Sequence, residues 1–167
     1  SGPVLRKGGS LELRVRIDRR DNFIGEVTVG VEGLPAGVTC NGAVLGGNVD
    51  TAPLVFTAAE NAAASSSPLK ITAKANINGQ DVVREARYGA CVWGTTNRQQ
   101  APPEFRLCGN LMLAVMDKEL EPAQIVVGED KIYETARGGN LEIPVTVKRR
   151  DNFQENIKLT KVIVPNE

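Results

Sequence analysis

Leu11-Glu12-Leu13-Arg14-Val15-Arg16-Ile17 alternates apolar and charged residues without a break. A period of two puts Leu11, Leu13, Val15 and Ile17 on one face and Glu12, Arg14 and Arg16 on the other. That is the pattern of an antiparallel strand with one side on a core and one in water. Just beyond it stands Arg19-Arg20-Asp21-Asn22-Phe23, which returns letter for letter as Arg149-Arg150-Asp151-Asn152-Phe153. At the same offset of 130 positions Gly8-Gly9 align with Gly138-Gly139, Leu11-Glu12 with Leu141-Glu142, Val15 with Val145 and Pro35 with Pro165. Conservative pairs keep the alternation between them: Leu13 over Ile143, Ile17 over Val147, Val27 over Ile157 and Val29 over Leu159.

Solenoid repeats run to roughly 20–50 residues, so a spacing this long is that of a whole small domain. The chain therefore reads as a first module (1–118), a linker (119–122) and the N-terminal part of a second module (123–167). Ser1-Gly2-Pro3 reads as an internal boundary or a tag scar. Residue 1 aligns with residue 131, so the first copy is expected to lack the strand that corresponds to Ala123 to Val127.

The rest of the first module continues in short strands. Val27, Val29 and Val31 alternate from Glu26 to Glu32, giving a strand that forms a hairpin with the first or faces it. Gly33 to Val38 is a turn rich in Gly and Pro. Leu54 and Phe56 mark a strand over Pro53 to Thr57, and Ala58 to Ser67 reads as a loop. Leu69, Ile71, Ala73 and Ala75 alternate with polar residues, Asn78-Gly79 is a two-residue hairpin signal, and Val82 to Val92 is its returning partner. Leu107 to Met116 reads as a well-buried strand. About seven or eight strands with turns between them and almost no helical periodicity indicate an all-β chain, an immunoglobulin-like antiparallel β-sandwich with a partial second repeat.

Composition excludes several functions. Twenty basic residues balance twenty acidic ones, so no net field draws in nucleic acid or an anionic membrane. No run of about 20 apolar residues is present for membrane insertion. Histidine is absent, which removes the commonest general base and transition-metal ligand. No enzyme, cofactor or metal is expected. Cys40, Cys91 and Cys108 form no C-x-x-C pair. Cys91 and Cys108 bracket a polar loop and read either as a disulfide across neighbouring strands or as two free thiols packed as small apolar groups.

Two stretches bear a family likeness. Val27-Thr28-Val29-Gly30-Val31-Glu32-Gly33-Leu34-Pro35-Ala36-Gly37-Val38-Thr39 resembles the strand and Gly-Leu-Pro-x-Gly-Val element of bacterial immunoglobulin-like modules, among them the NPCBM-associated module attached to alpha-galactosidases. Leu69 to Ala75 is similar to the late strand of such modules. Three further stretches (Leu107 to Val115, Val126 to Glu129, Gly138 to Val145) together with Arg149-Arg150 resemble a recurrent segment of large exported proteins of planctomycete type, which carry pre-peptidase C-terminal domains. The resemblance implies a β-sandwich in an extracellular, periplasmic or cell-surface setting. It carries over no catalytic residue.

Candidate ligand contacts follow from side-chain chemistry. Arg19 and Arg20 present guanidinium forks suited to carboxylates or sulfates; the competing reading of their pentapeptide is a hairpin turn with Phe23 anchored on the core. Tyr88 and Trp93, with Phe105, are candidates for stacking on polysaccharide, with Arg87 and Asn97 beside them. The expected role is a spacer, adhesion or scaffold module whose partners are neighbouring domains of the same chain. The alternative is an accessory carbohydrate- or peptide-binding module of a secreted hydrolase. The incomplete strand edges are expected to pack back on the intact body or to self-associate by strand addition.

Overall fold

The computed structural model describes residues 2–93, 104–128, 131, 133–151 and 153–158, and for 90–93 and 104–105 it describes the backbone alone. Described residues form strands and no helix, so no helix is long and apolar enough to cross a membrane. The strands are β1 (Val4–Lys7), β2 (Ser10–Arg16), β3 (Val27–Glu32), β4 (Val38–Thr39), β5 (Ala43–Leu45), β6 (Thr51–Ala58) and β7 (Ser65–Pro68). They continue with β8 (Lys70–Ile77), β9 (Gln80–Glu85), β10 (Gly89–Trp93), β11 (Glu104–Leu107), β12 (Met112–Leu120), β13 (Ala123–Val127) and β14 (Val145–Arg149).

The alternating stretch is β2, as its pattern predicts. It pairs antiparallel with β6 from Ser10↔Thr57 to Arg16↔Thr51 in a sheet ordered β2-β6-β4. A second sheet runs β5-β3-β8-β9 and a third β1-β12-β7. Strands β2 and β3 thus belong to different sheets and form no hairpin. One core joins all three sheets. Ala52, Leu54, Phe56 and Ala58 project into it from β6 at every second residue, Val29 from β3, Leu45 from β5, Leu5 from β1, and Leu113 and Val115 from β12. Apolar side chains dominate the driving force here, at about 25 cal/mol per Å² removed from water. No polar side chain among the described residues is buried with them.

The Asn78-Gly79 signal holds: both residues have positive φ, 53° and 82°, and join β8 to β9 through a two-residue loop. Positive φ at both centres is what a twisted hairpin requires, and Asn-Gly supplies it at low cost. Elsewhere the boundaries move. The end of the Ala58 to Ser67 stretch forms β7, because β12 is buried on its core face and uses both edges for hydrogen bonding. Its other edge takes β1 in parallel, Val4↔Ala114 and Leu5↔Val115. The expected strand Val82 to Val92 is split into β9 and β10. Strand β12 starts later than the sequence pattern suggests and runs through Leu120, paired with Lys7, which leaves Glu121 and Pro122 to connect it to β13.

β13 and β14 form a separate antiparallel pair, Ala123↔Arg149 through Val127↔Val145. Ile125, Val127 and Val145 are exposed on it, as are Leu141 and Ile143 just before β14, so its apolar side has no covering sheet among the described residues.

Candidate functional site: the joint beside Gly8

The repeated pentapeptide folds the same way twice. Phe23 N–H donates to the Arg20 carbonyl at 3.0 Å, and Phe153 N–H to the Arg150 carbonyl at 3.1 Å. Asp21 and Asn22 have φ of 54° and 56°, and Asp151 has 47°. These are left-handed positions that Asp and Asn tolerate better than other side chains. The motif forms a turn in both copies, but it is not the expected hairpin turn: β2 and β3 lie in different sheets, and Phe23 is half-buried outside the core cluster. The two arginines have separate duties within it.

Arg19 is turned inward. It donates to the carbonyls of Gly25 at 2.7 Å, Gly46 at 2.6 Å and Val49 at 3.3 Å. Its Nε lies 3.3 Å from Asp50 Oδ1, and its guanidinium sits 5.6 Å from the Phe23 ring centroid. With 10% of its side chain exposed, it staples the 19–25 turn to the 45–50 loop. Arg149 repeats the device, donating to the Glu155 carbonyl at 2.6 Å and lying 5.7 Å from the Phe153 ring centroid. Arg20 and Arg150 lie on the other side of the strand. Period-two parity carries this signal in the sequence, since position 19 falls with Val15 and Ile17 while position 20 falls with Arg14 and Arg16.

Arg150 uses its outward position to reach the main body. It donates to the Glu60 carboxylate and, at 3.3 Å, to the Glu121 carbonyl. Beside it Gln124 donates to the Gly8 carbonyl at 2.8 Å. The receiving loop is itself fixed: Gly9 N–H bonds to the Arg6 carbonyl, Gly8 N–H to that of Ala59, and Ala58 N–H to that of Gly9. Gly8 has φ +71°, and a Cβ there would stand 2.9 Å from Gln124 Nε2. Only glycine gives both the turn and the close approach. Ion pairs Arg6–Glu119 at 2.9 Å and Lys7–Asp117 at 3.8 Å line the same margin. Arg20, by contrast, is 82% exposed and, among the described residues, pairs with Asp18 at 3.6 Å. Of the joint residues, Arg150 is the repeat counterpart of the candidate contact Arg20, while Glu60, Gln124 and Glu121 carry no contact signal in the sequence.

The aromatic candidates lie at a different place. Tyr88 is half-buried and packs against the core; the side chain of Trp93 falls outside the described residues, as does Asn97. Cys108 is an exposed free thiol and Cys40 a half-buried one. The β10–β11 register puts Cys91 opposite Phe105, while the Cys108 amide bonds to the Tyr88 carbonyl. A cleft of about 800 Å³ runs beside Leu13–Arg16, floored by Leu54, Leu69 and Leu111 and rimmed by Arg87 and Tyr88. Among the described residues no group of three or more acidic or thiol side chains is placed to hold a metal ion.

Fold and joint together define an all-β chain in which a turn motif occurs twice, its first arginine turned inward in the earlier copy and its second reaching across to Glu60 in the later one. No family model, curated protein or solved structure matches the chain.

Proposed function

We propose that the chain is a non-catalytic structural module of a tandem array in a large exported protein, an immunoglobulin-like β-sandwich followed at residue 123 by the opening of the next. Its work is to space, adhere or scaffold at the cell surface. The carrying observation is the joint: Arg150 and Gln124 grip Glu60 and the Gly8 loop, and Arg150 belongs to a motif repeated 130 positions apart. A link of two residues, Glu121 and Pro122, with hydrogen bonds on both flanks restricts hinge motion more than a flexible tether does. Sheets meeting on one core, with β1 parallel to β12 at the margin, support the sandwich reading. Residual dipolar couplings of the full chain test the spacer reading. One alignment tensor for residues 4–120 and 123–150 is expected, and two independent tensors would end it.

The accessory binding reading has one observation in its favour, the cleft rimmed by Arg14, Arg16, Arg87 and Tyr88. Tyr88 is packed on the core and so presents little open ring for stacking. Saturable binding in a glycan screen that Tyr88→Ala or Trp93→Ala abolishes would favour this reading over the spacer.

A further inference from the structure

β2 pairs with β6 along one edge, and among the described residues its other edge carries no strand. We propose that this edge is a slot for the Ala123–Val127 segment of a second copy of this chain, added antiparallel with Val126 opposite Arg16. The proposal rests on the tandem-array reading and names the partner surface within it.

Backbone parity is the first argument. Ile17 N–H donates to the Asp50 carbonyl at 2.7 Å. Bonded residues alternate in an antiparallel pair, so Leu13, Val15 and Ile17 turn their polar groups to β6, and Arg14, Arg16 and Asp18 turn theirs to the open side. In the later copy Arg150 N–H donates to the Pro122 carbonyl and Gly128 N–H to that of Pro144. By the same alternation Pro144, Thr146, Lys148 and Arg150 face β13. Their equivalents at the 130-residue offset are Arg14, Arg16, Asp18 and Arg20. The groups left open on β2 are thus the counterparts of those that β13 satisfies on β14.

Side-chain faces agree with this register. Ile125 stands opposite Val147 and Val127 opposite Val145. The counterparts are Ile17, packed against the core, and Val15, within it. A β13 segment on β2 would carry Ile125 and Val127, both exposed at present, onto the core side. The cleft there is lined by Leu13, Val15 and Leu54. Between whole chains the exchange replaces β14 of the donor by β2 of the acceptor, one version of the repeated strand for another. The contact is heterologous and continues head to tail instead of closing as a symmetric dimer.

The test is amide exchange by NMR on the full chain, with a synthetic peptide of residues 119–128 at millimolar concentration. Exchange at Arg16 and Asp18 is expected to slow about tenfold or more, while Ile17, already bonded to Asp50, stays unchanged. A peptide carrying Val126→Pro lacks a ladder donor and should protect neither amide. Unprotected Arg16 and Asp18 at saturating peptide, or equal protection by the proline peptide, would overturn the proposal. The spacer reading is judged separately by the dipolar couplings, so either can fail alone.

Discussion

Arg150 and Glu60, 90 positions apart in the chain, are joined by a charge-assisted hydrogen bond with 26% and 58% of their side chains exposed. Among the described residues it is the side-chain ion pair that ties the second copy of the turn motif to the main body. Exposed pairs of this kind couple by about 0.2–1 kcal/mol. Arg150→Ala is therefore expected to leave the denaturation midpoint of the main body nearly unchanged while loosening the joint. A double-mutant cycle with Glu60→Ala, read by urea denaturation and dipolar couplings together, checks both statements. A loss of several kcal/mol would mean that the joint is part of the folding core.

Arg19 makes the opposite case. Its two short carbonyl bonds, to Gly25 and Gly46, a longer one to Val49 and its stacking on Phe23 are internal to the fold. Hydrogen bonds from a charged donor contribute about 1.5–3 kcal/mol each when lost without replacement, and such losses add incompletely. Arg19→Ala is expected to destabilise the chain by about 2–4 kcal/mol in urea titration. Arg19→Lys should recover little of it, because a single ammonium cannot reach divergent carbonyls as a planar fork does. Full recovery by lysine would show that charge, not the fork, holds the turn.

Local chemistry made much of this legible. Strict alternation located β2, Asn78-Gly79 located the β8–β9 hairpin, and the repeated pentapeptide located a turn that forms twice. Two features were beyond reach. Strand β7 is Ser65-Ser66-Ser67-Pro68, whose side chains alternate nothing; it is a strand because β12 offers it an edge. The parallel β1–β12 pairing joins residues over a hundred positions apart, and no local pattern encodes it. The joint lay between these cases. Gly8-Gly9 and Arg150 were visible as repeated letters, but Glu60 sits in a stretch that reads as plain loop.

Asp81 stands beside the β8–β9 turn and reports on it. Lys74 Nζ lies 2.6 Å from one carboxylate oxygen and Asn76 donates to the other at 3.1 Å. The hydrogen bond and charge of Lys74, helped by Asn76, hold its pKa below the usual carboxylate value. A depressed folded-state pKa means that the contribution is complete above the unfolded value and is lost as pH falls through the folded one. Carbon-detected NMR titration should find Asp81 ionising below the usual aspartate value, with hairpin amides exchanging faster once it protonates. Lys74→Ala should move its midpoint back up. A midpoint at or above the ordinary range would remove the hairpin pairing as its cause.

Gly8 and Gly138 are equivalent by sequence and by backbone, with φ of 71° and 79°, and a substitution at the two sites separates conformational strain from contact. An alanine in this region costs about 1–2 kcal/mol at either site through its own Cβ. At Gly8 that Cβ also meets Gln124 Nε2 at 2.9 Å and Arg150 at 3.4 Å, whereas at Gly138 nothing described lies within 4 Å. Gly8→Ala is therefore expected to shift the side-chain amide resonances of Gln124 and loosen its bond to the Gly8 carbonyl. Gly138→Ala should leave those resonances where they are. Equal shifts from both would mean that the Gly8 loop is not the seat of the joint.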